Sequence, residues 1–230
     1  MDAKQDKSTM GGPGAPQAGA PQAGAPSSAQ QAGAPRPAPD AARVARVGVI
    51  AAAYAACTLV ALTLLGSLAW GPVQFRVSEA LCVLALFTPA AIPGLTLGCA
   101  IANVANIALS GTGMLGLLDV VFGSLATYLG ARLMWRLRHR PLVALAGPVL
   151  TNALIVPAYL PLLLMGIGYY TIPFTSISLE SSYLLMYLFG LVATGAGEAV
   201  IMYALGYPLY RALANNSYMK RELEQAQRPR

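Results

Sequence analysis

The stretch "GPVQFRVSEALCVLALFTPAAIPGLTLG", residues 71–98, decides how the rest of the chain is read. Arg76 and Glu79 stand three residues apart there, beside apolar runs too long for an ordinary soluble core. Just before it lies "VGVIAAAYAACTLVALTLLGSLA", residues 47–69, long enough by itself to cross a bilayer. An ionised side chain at the centre of a lipid-embedded helix costs roughly 2.5–3.5 kcal/mol, so a guanidinium and a carboxylate in this setting need partners or a sheltered cavity.

Working outward, the 230-residue chain divides sharply. Residues 1–46 are polar and rich in Gly, Pro and Ala, whereas 47–213 are overwhelmingly apolar and 214–230 are charged. A charged fraction of 10% is low for a soluble protein. About six helical spans of about 20 apolar residues each are expected, an all-α membrane protein with an outward-facing pocket. The tail carries a degenerate pentapeptide repeat, "GAPQAGAPQAGAPSSAQQAGAP" at 14–35, which offers too little apolar side chain to offset the entropy of ordering. Residues 1–46 are therefore expected to be disordered. The first hydrophobic run begins only after position 46, so no secretory leader is expected.

The predicted spans cover about 47–69, 80–88, 92–109, 117–135, 142–166 and 183–210. The second, stopped by Pro89 and Pro93, is too short to cross upright, which leaves a distorted or re-entrant segment. Arg43 and Arg46, then Arg132, Arg136, Arg138 and Arg140, then Arg211, Lys220 and Arg221 fall on one side if there are six spans. The positive-inside bias places both termini in the cytoplasm of a multi-pass cell-membrane protein. It also explains the net charge of +6 better than nucleic-acid binding does.

Polar residues inside the apolar region are the candidate site. Glu79, Asn103, Asp119, Asn152 and Glu198 should each face a cavity or a partner rather than lipid. Gly190, Thr194 and Glu198 share one helical face, as do Asp119, Gly123 and Thr127. Gly94, Gly98 and Ala102 form a small-residue stripe suited to close helix contact. Cys57, Cys82 and Cys99 lie in apolar segments without metal-ligand spacing and read as small packing residues. No metal or cofactor is expected. The single histidine, His139, sits in the basic "RLMWRLRHR" loop, and no GxxxxGK[ST] phosphate loop occurs. Nucleophile, base and metal all lack candidates, so binding or transport is a stronger class than catalysis.

Four segments in order, "GPVQFRVSEAL", "FTPAAIPGLTLGCAIANV", "GLLDVVFGSLATYLGA" and "GEAVIMYALGYPLYRAL", resemble the QueT family of queuosine-precursor transporters, substrate-binding S components of energy-coupling factor (ECF) importers. The resemblance covers about residues 47–213. It implies a six-helix protein whose outward pocket is capped by loops and whose energy comes from a transmembrane coupling protein and two ATPases on other chains. The substrate implied is a 7-deazaguanine, such as 7-aminomethyl-7-deazaguanine or its nitrile. Carboxylates suit its N–H donors and ammonium, and an amide suits its mixed polar edge. On that basis Glu198 or Asp119 accepts hydrogen bonds from the ligand, Asn103 and Asn152 read polar edges, and Gln74, Arg76 and Glu79 close the outer mouth. There Arg76 and Glu79 pair with each other or with ligand while still touching water. Tyr170 or Phe174 stacks on the ring. In "AAAYAAC", the Ala51–Ala55 and Ala52–Ala56 pairs give the small-xxx-small spacing with which such proteins meet the coupling subunit. An S component for another vitamin, a solitary proton-coupled transporter and a structural membrane protein are the competing readings.

Overall fold

The computed structural model describes residues 39–66, 75–111, 113–166, 171, 176, 178 and 183–227. Almost all of them are helical. The first helix, α1 (Pro39–Leu65), is followed by a 3₁₀ helix (Val77–Leu86) and α2 (Ala91–Ser110). Next come α3 (Gly113–Arg136), α4 (Ala146–Gly166), α5 (Tyr183–Asn215) and a final short helix, α6 (Ser217–Gln227). Among the described residues, five helices are long and apolar enough to cross a membrane, and Val77–Leu86 is a shorter apolar sixth. This is the all-α, roughly six-span architecture expected from the apolar runs.

The short second segment gains length by changing helix type, though it still falls short of the roughly 30 Å hydrocarbon core. Ten residues at the 3₁₀ rise of about 2 Å reach about 20 Å, a third further than an α-helix of the same length. Its core-facing residues, from Ser78 to Leu86, are mostly buried. Pro93 falls in the first turn of α2, where a missing N–H breaks no helical bond. Gly111 ends α2 in the left-handed region (φ 67°), its N–H bonded to the Ile107 carbonyl.

α1 begins at Pro39, eight residues before the predicted span. The expectation of a disordered segment through position 46 is therefore corrected at its C-terminal end. "PDAARVAR" is rich in good helix formers, and its two arginines, Arg43 and Arg46, are exposed.

Glycines set the helix contacts. A Cβ on Gly98 would lie 2.6 Å from the Ala51 carbonyl oxygen and 2.8 Å from Tyr54 Cβ, so α2 meets α1 at backbone distance. A Cβ on Gly130 of α3 would likewise lie 2.8 Å from Pro148 Cα, and one on Gly190 of α5 2.9 Å from Pro157 Cβ. In lipid, where apolar burial gives helices little reason to associate, such close approach supplies the packing energy. Pro157 and Pro161 deprive α4 of two helical donors, and Tyr183 and Tyr187 of α5 donate to the nearby Ala158 and Leu154 carbonyls at 2.6 and 3.1 Å. α1 lies at the rim, with only 17% of its apolar window buried against 50% for 141–162.

Ala51 and Ala55 are buried by this α1–α2 contact. Of the four alanines expected to face a coupling subunit, only Ala52 and Ala56 are exposed. The spacing is the same for both pairs, but the glycines of α2 have already taken one of them.

Candidate functional site

Every segment of the bundle sends at least one polar side chain into the interior, and they fall into two adjoining neighbourhoods. The first is centred on Asp119. This residue opens a π-helical turn, Asp119–Gly123, inside α3. Such turns are frequent at functional sites, because one extra residue per turn re-aims side chains. Arg76 Nη2 donates to both Asp119 carboxylate oxygens at 3.3 Å, and the Tyr159 hydroxyl of α4 donates to Oδ1 at 2.6 Å. Asn103 of α2 donates through Nδ2 to the Asp119 backbone carbonyl at 2.8 Å. Gly123 makes room for all three: a Cβ there would come within 2.9 Å of Asp119 Oδ1 and 3.1 Å of Asn103 Nδ2.

Glu79 joins this neighbourhood to the second. It is fully buried (0% exposed) and accepts three hydrogen bonds. Tyr54 of α1 donates at 2.6 Å, Thr127 of α3 at 2.9 Å and the Cys82 thiol at 2.9 Å. Arg76 and Glu79 therefore do not pair with each other, nor do they sit in water at a pocket mouth. Arg76 precedes the 3₁₀ helix in a non-helical conformation, which takes it off the helical face that Glu79 occupies. Its own partner lies 43 residues away.

The second neighbourhood lies on α4 and α5. Glu198 (1% exposed) and Thr194 share a face of α5, and Asn152 of α4 is fully buried. The Asn152 amide lies near enough to the Glu198 carboxylate for a weak hydrogen bond. No hydrogen bond of good geometry, however, reaches Glu198 Oε1, Thr194 Oγ1 or either polar atom of Asn152, nor Ser124 Oγ on α3. A native protein pairs nearly all of its buried polar groups, and each orphan costs about 1–3 kcal/mol. Four such atoms on three neighbouring residues are a concentrated exception. Arg76 Nη1 is a further unpartnered donor, beside the first neighbourhood.

A small cavity of about 20 Å3 borders the first neighbourhood, lined by Thr58, Arg76, Ser78, Asn103 and Asn106 among others, and Asn152, Thr194 and Glu198 are not in its lining. That is room for about one water molecule. Of the residues singled out in the sequence, Arg76, Glu79, Asn103, Asp119, Asn152 and Glu198 are all buried in the interior. Gln74 and Tyr170, with Phe174, lie outside the described residues. Tyr54, Tyr159 and Cys82 were missed as polar participants. A phenol deep within an apolar run was the available signal, because a buried tyrosine hydroxyl needs a partner. The cysteines gave no such signal. Cys82 bonds Glu79, and Cys99 accepts from Asn103 at 3.5 Å, so neither is only a space-filler.

A helical bundle long enough to span a bilayer, with carboxylates, amides and hydroxyls from every span gathered in its interior, defines a multi-pass membrane protein of the transporter class. Residues 44–215 match the QueT transporter family, and the chain belongs to that family. No curated protein and no solved structure matches the chain significantly.

Proposed function

We propose that this QueT-family transporter binds a queuosine precursor of the 7-deazaguanine class, such as 7-aminomethyl-7-deazaguanine, as the S component of an ECF importer. The observation that carries the reading is the set of unpartnered polar atoms on Asn152, Thr194 and Glu198. Asn152 offers a donor and an acceptor together, the complement of a purine-like edge. Glu198 offers acceptor capacity to ring N–H groups or to an ammonium, and Thr194 either role. Glu79 completes the negative side of the site, and Arg76, Asp119 and Asn103 hold its wall. Gln74 and Tyr170 take part in binding the substrate. The termini and the basic 132–140 segment face the cytoplasm, the tail before α1 serves outside the transport domain, and Ala52 and Ala56 contact a transmembrane coupling protein that works with two ATPases.

The test is a thermal-shift panel on detergent-purified protein. Stabilisation by 7-deazaguanines at micromolar concentration, with none by guanine, riboflavin, thiamine or biotin, is the expected result, since a ligand that binds only the folded state raises its stability by mass action. A response to one of the vitamins alone reassigns the substrate. The burial of two carboxylates, Glu79 and Glu198, favours a second reading, a solitary proton-coupled transporter, because buried carboxylates suit proton relay. Co-purification with an ATPase module separates the two.

A further inference from the structure

The basic turn between α3 and α4 carries more than orientation in the bilayer requires. Arg132, Arg136, Arg138 and Arg140 follow one another closely, and no Asp or Glu occurs anywhere in 120–179. Arg132, Arg136 and Arg140 are exposed, and among the described residues none of the three pairs with a carboxylate. Arg132 donates instead to the Tyr128 hydroxyl at 3.0 Å, one turn back on α3. Arg138 is held over the half-buried Trp135 ring, 4.3 Å from its centroid, and donates to the Trp135 carbonyl at 2.9 Å. Directly after the arginines, a short helix, Pro141–Ala144, leaves Leu142 and Val143 more than half exposed while Ala144 is buried. The Tyr203 hydroxyl of α5 donates to the Leu142 carbonyl at 3.1 Å, and Leu145 packs into the core. The exposed aliphatic pair is therefore fixed in place beside the arginines.

We propose that this turn is a docking surface for the anionic headgroups of the membrane leaflet it faces, with Arg136 and Arg140 on lipid phosphate and Leu142 and Val143 among the acyl chains. The proposal rests on membrane insertion and not on the substrate assigned above. Charge complementarity selects the head. A run of guanidiniums with no acidic residue nearby in the chain takes its counter-charge from outside, and a guanidinium meets phosphate through paired donors. The change from charge to hydrocarbon between Arg140 and Val143 selects an amphiphile. An acidic polypeptide or a nucleic acid would satisfy the arginines and leave Leu142 and Val143 in water. Trp135 is of the residue type that gathers at the boundary between headgroups and acyl chains. Orientation alone needs only the count of positive charges; it does not place two exposed aliphatic side chains next to them. Polybasic segments just beyond a spanning helix attract anionic lipid on these terms, over no more than a Debye length.

The experiment reads lipid preference at Trp135 itself. The chain has two tryptophans, so Trp70→Phe leaves Trp135 as the only one. This full-length variant is reconstituted into phosphatidylcholine vesicles containing a minor share of phosphatidylglycerol, with brominated acyl chains on one lipid or the other. Quenching of Trp135 fluorescence should show phosphatidylglycerol enriched about fivefold or more over phosphatidylcholine, the scale of one arginine at a membrane surface. The preference should fall toward one in about 0.5 M salt, which screens exposed charges. Adding Arg136→Gln and Arg140→Gln should abolish it, whereas adding Arg43→Gln and Arg221→Gln, which removes as much charge from other exposed positions, should leave it intact. Equal quenching by the two lipids, a preference that survives Arg136→Gln with Arg140→Gln, or a Trp135 shielded from both lipids as by a bound polypeptide each overturns the proposal.

Discussion

The two polar neighbourhoods of the interior contain similar residue types and differ in one respect. Around Asp119 the strong donors and acceptors find one another, guanidinium with carboxylate, phenol with carboxylate and amide with carbonyl, and Arg76 Nη1 alone is left over. Around Glu198 they do not, and atoms of Asn152, Thr194 and Glu198 are left over. A closed network inside a membrane protein is a wall, since satisfying it uses up the capacity to bind anything else. An open one carries a standing cost in the free protein that a matching ligand removes. On the function proposed above, the α2–α3 side would then be scaffold and the α4–α5 side would recognise the substrate.

Mutations should separate the two accordingly. The largest effect is expected from Asp119→Ala, which leaves Arg76 as an uncompensated buried charge. Breaking a buried pair in this way costs about 3–5 kcal/mol, seen as a lower unfolding temperature in detergent with or without ligand. Glu198→Gln should do the reverse, leaving stability unchanged or slightly higher while substrate affinity falls about ten- to hundredfold, the scale of one hydrogen bond to a charged group. If Glu198→Gln instead unfolds the protein, both neighbourhoods are scaffold and the contrast fails.

Gly123→Ala sharpens the geometry of the wall. Its methyl would press on Asp119 Oδ1 and Asn103 Nδ2, and a loss of about 1–3 kcal/mol in unfolding stability is expected from such overpacking. Thr194→Val is the smallest and most diagnostic change. It removes an unpartnered hydroxyl at constant shape, so stability should hold or rise by up to about 1 kcal/mol while binding weakens several-fold. A loss of stability there would show that the hydroxyl has a structural partner.

The fold was legible because lipid leaves few options: long apolar runs must be helices, and basic residues mark their ends. Polar residues stranded in those runs were correctly marked as interior groups, since neither Glu79 nor Glu198 could face lipid. Their partners were not legible. Arg76 and Glu79 look paired at three residues apart, yet each is satisfied by groups from distant helices. Local spacing carries no information about which helices touch, and here glycines at 94 and 98 decide that by admitting α1. The same contact buried Ala51 and Ala55, which the repeat spacing could not tell from Ala52 and Ala56. The 3₁₀ geometry of Val77–Leu86 was visible only as a length that did not fit.

Equilibrium titration with 7-aminomethyl-7-deazaguanine, run on the wild type, Glu198→Gln and Asn152→Leu in the same detergent, tests the central claim most directly. Saturable binding by the wild type, weakened at least about tenfold in both variants at unchanged folding, is the predicted outcome. Folded variants that bind as tightly as the wild type would contradict it, because the unpartnered atoms on α4 and α5 would then have no part in holding the substrate.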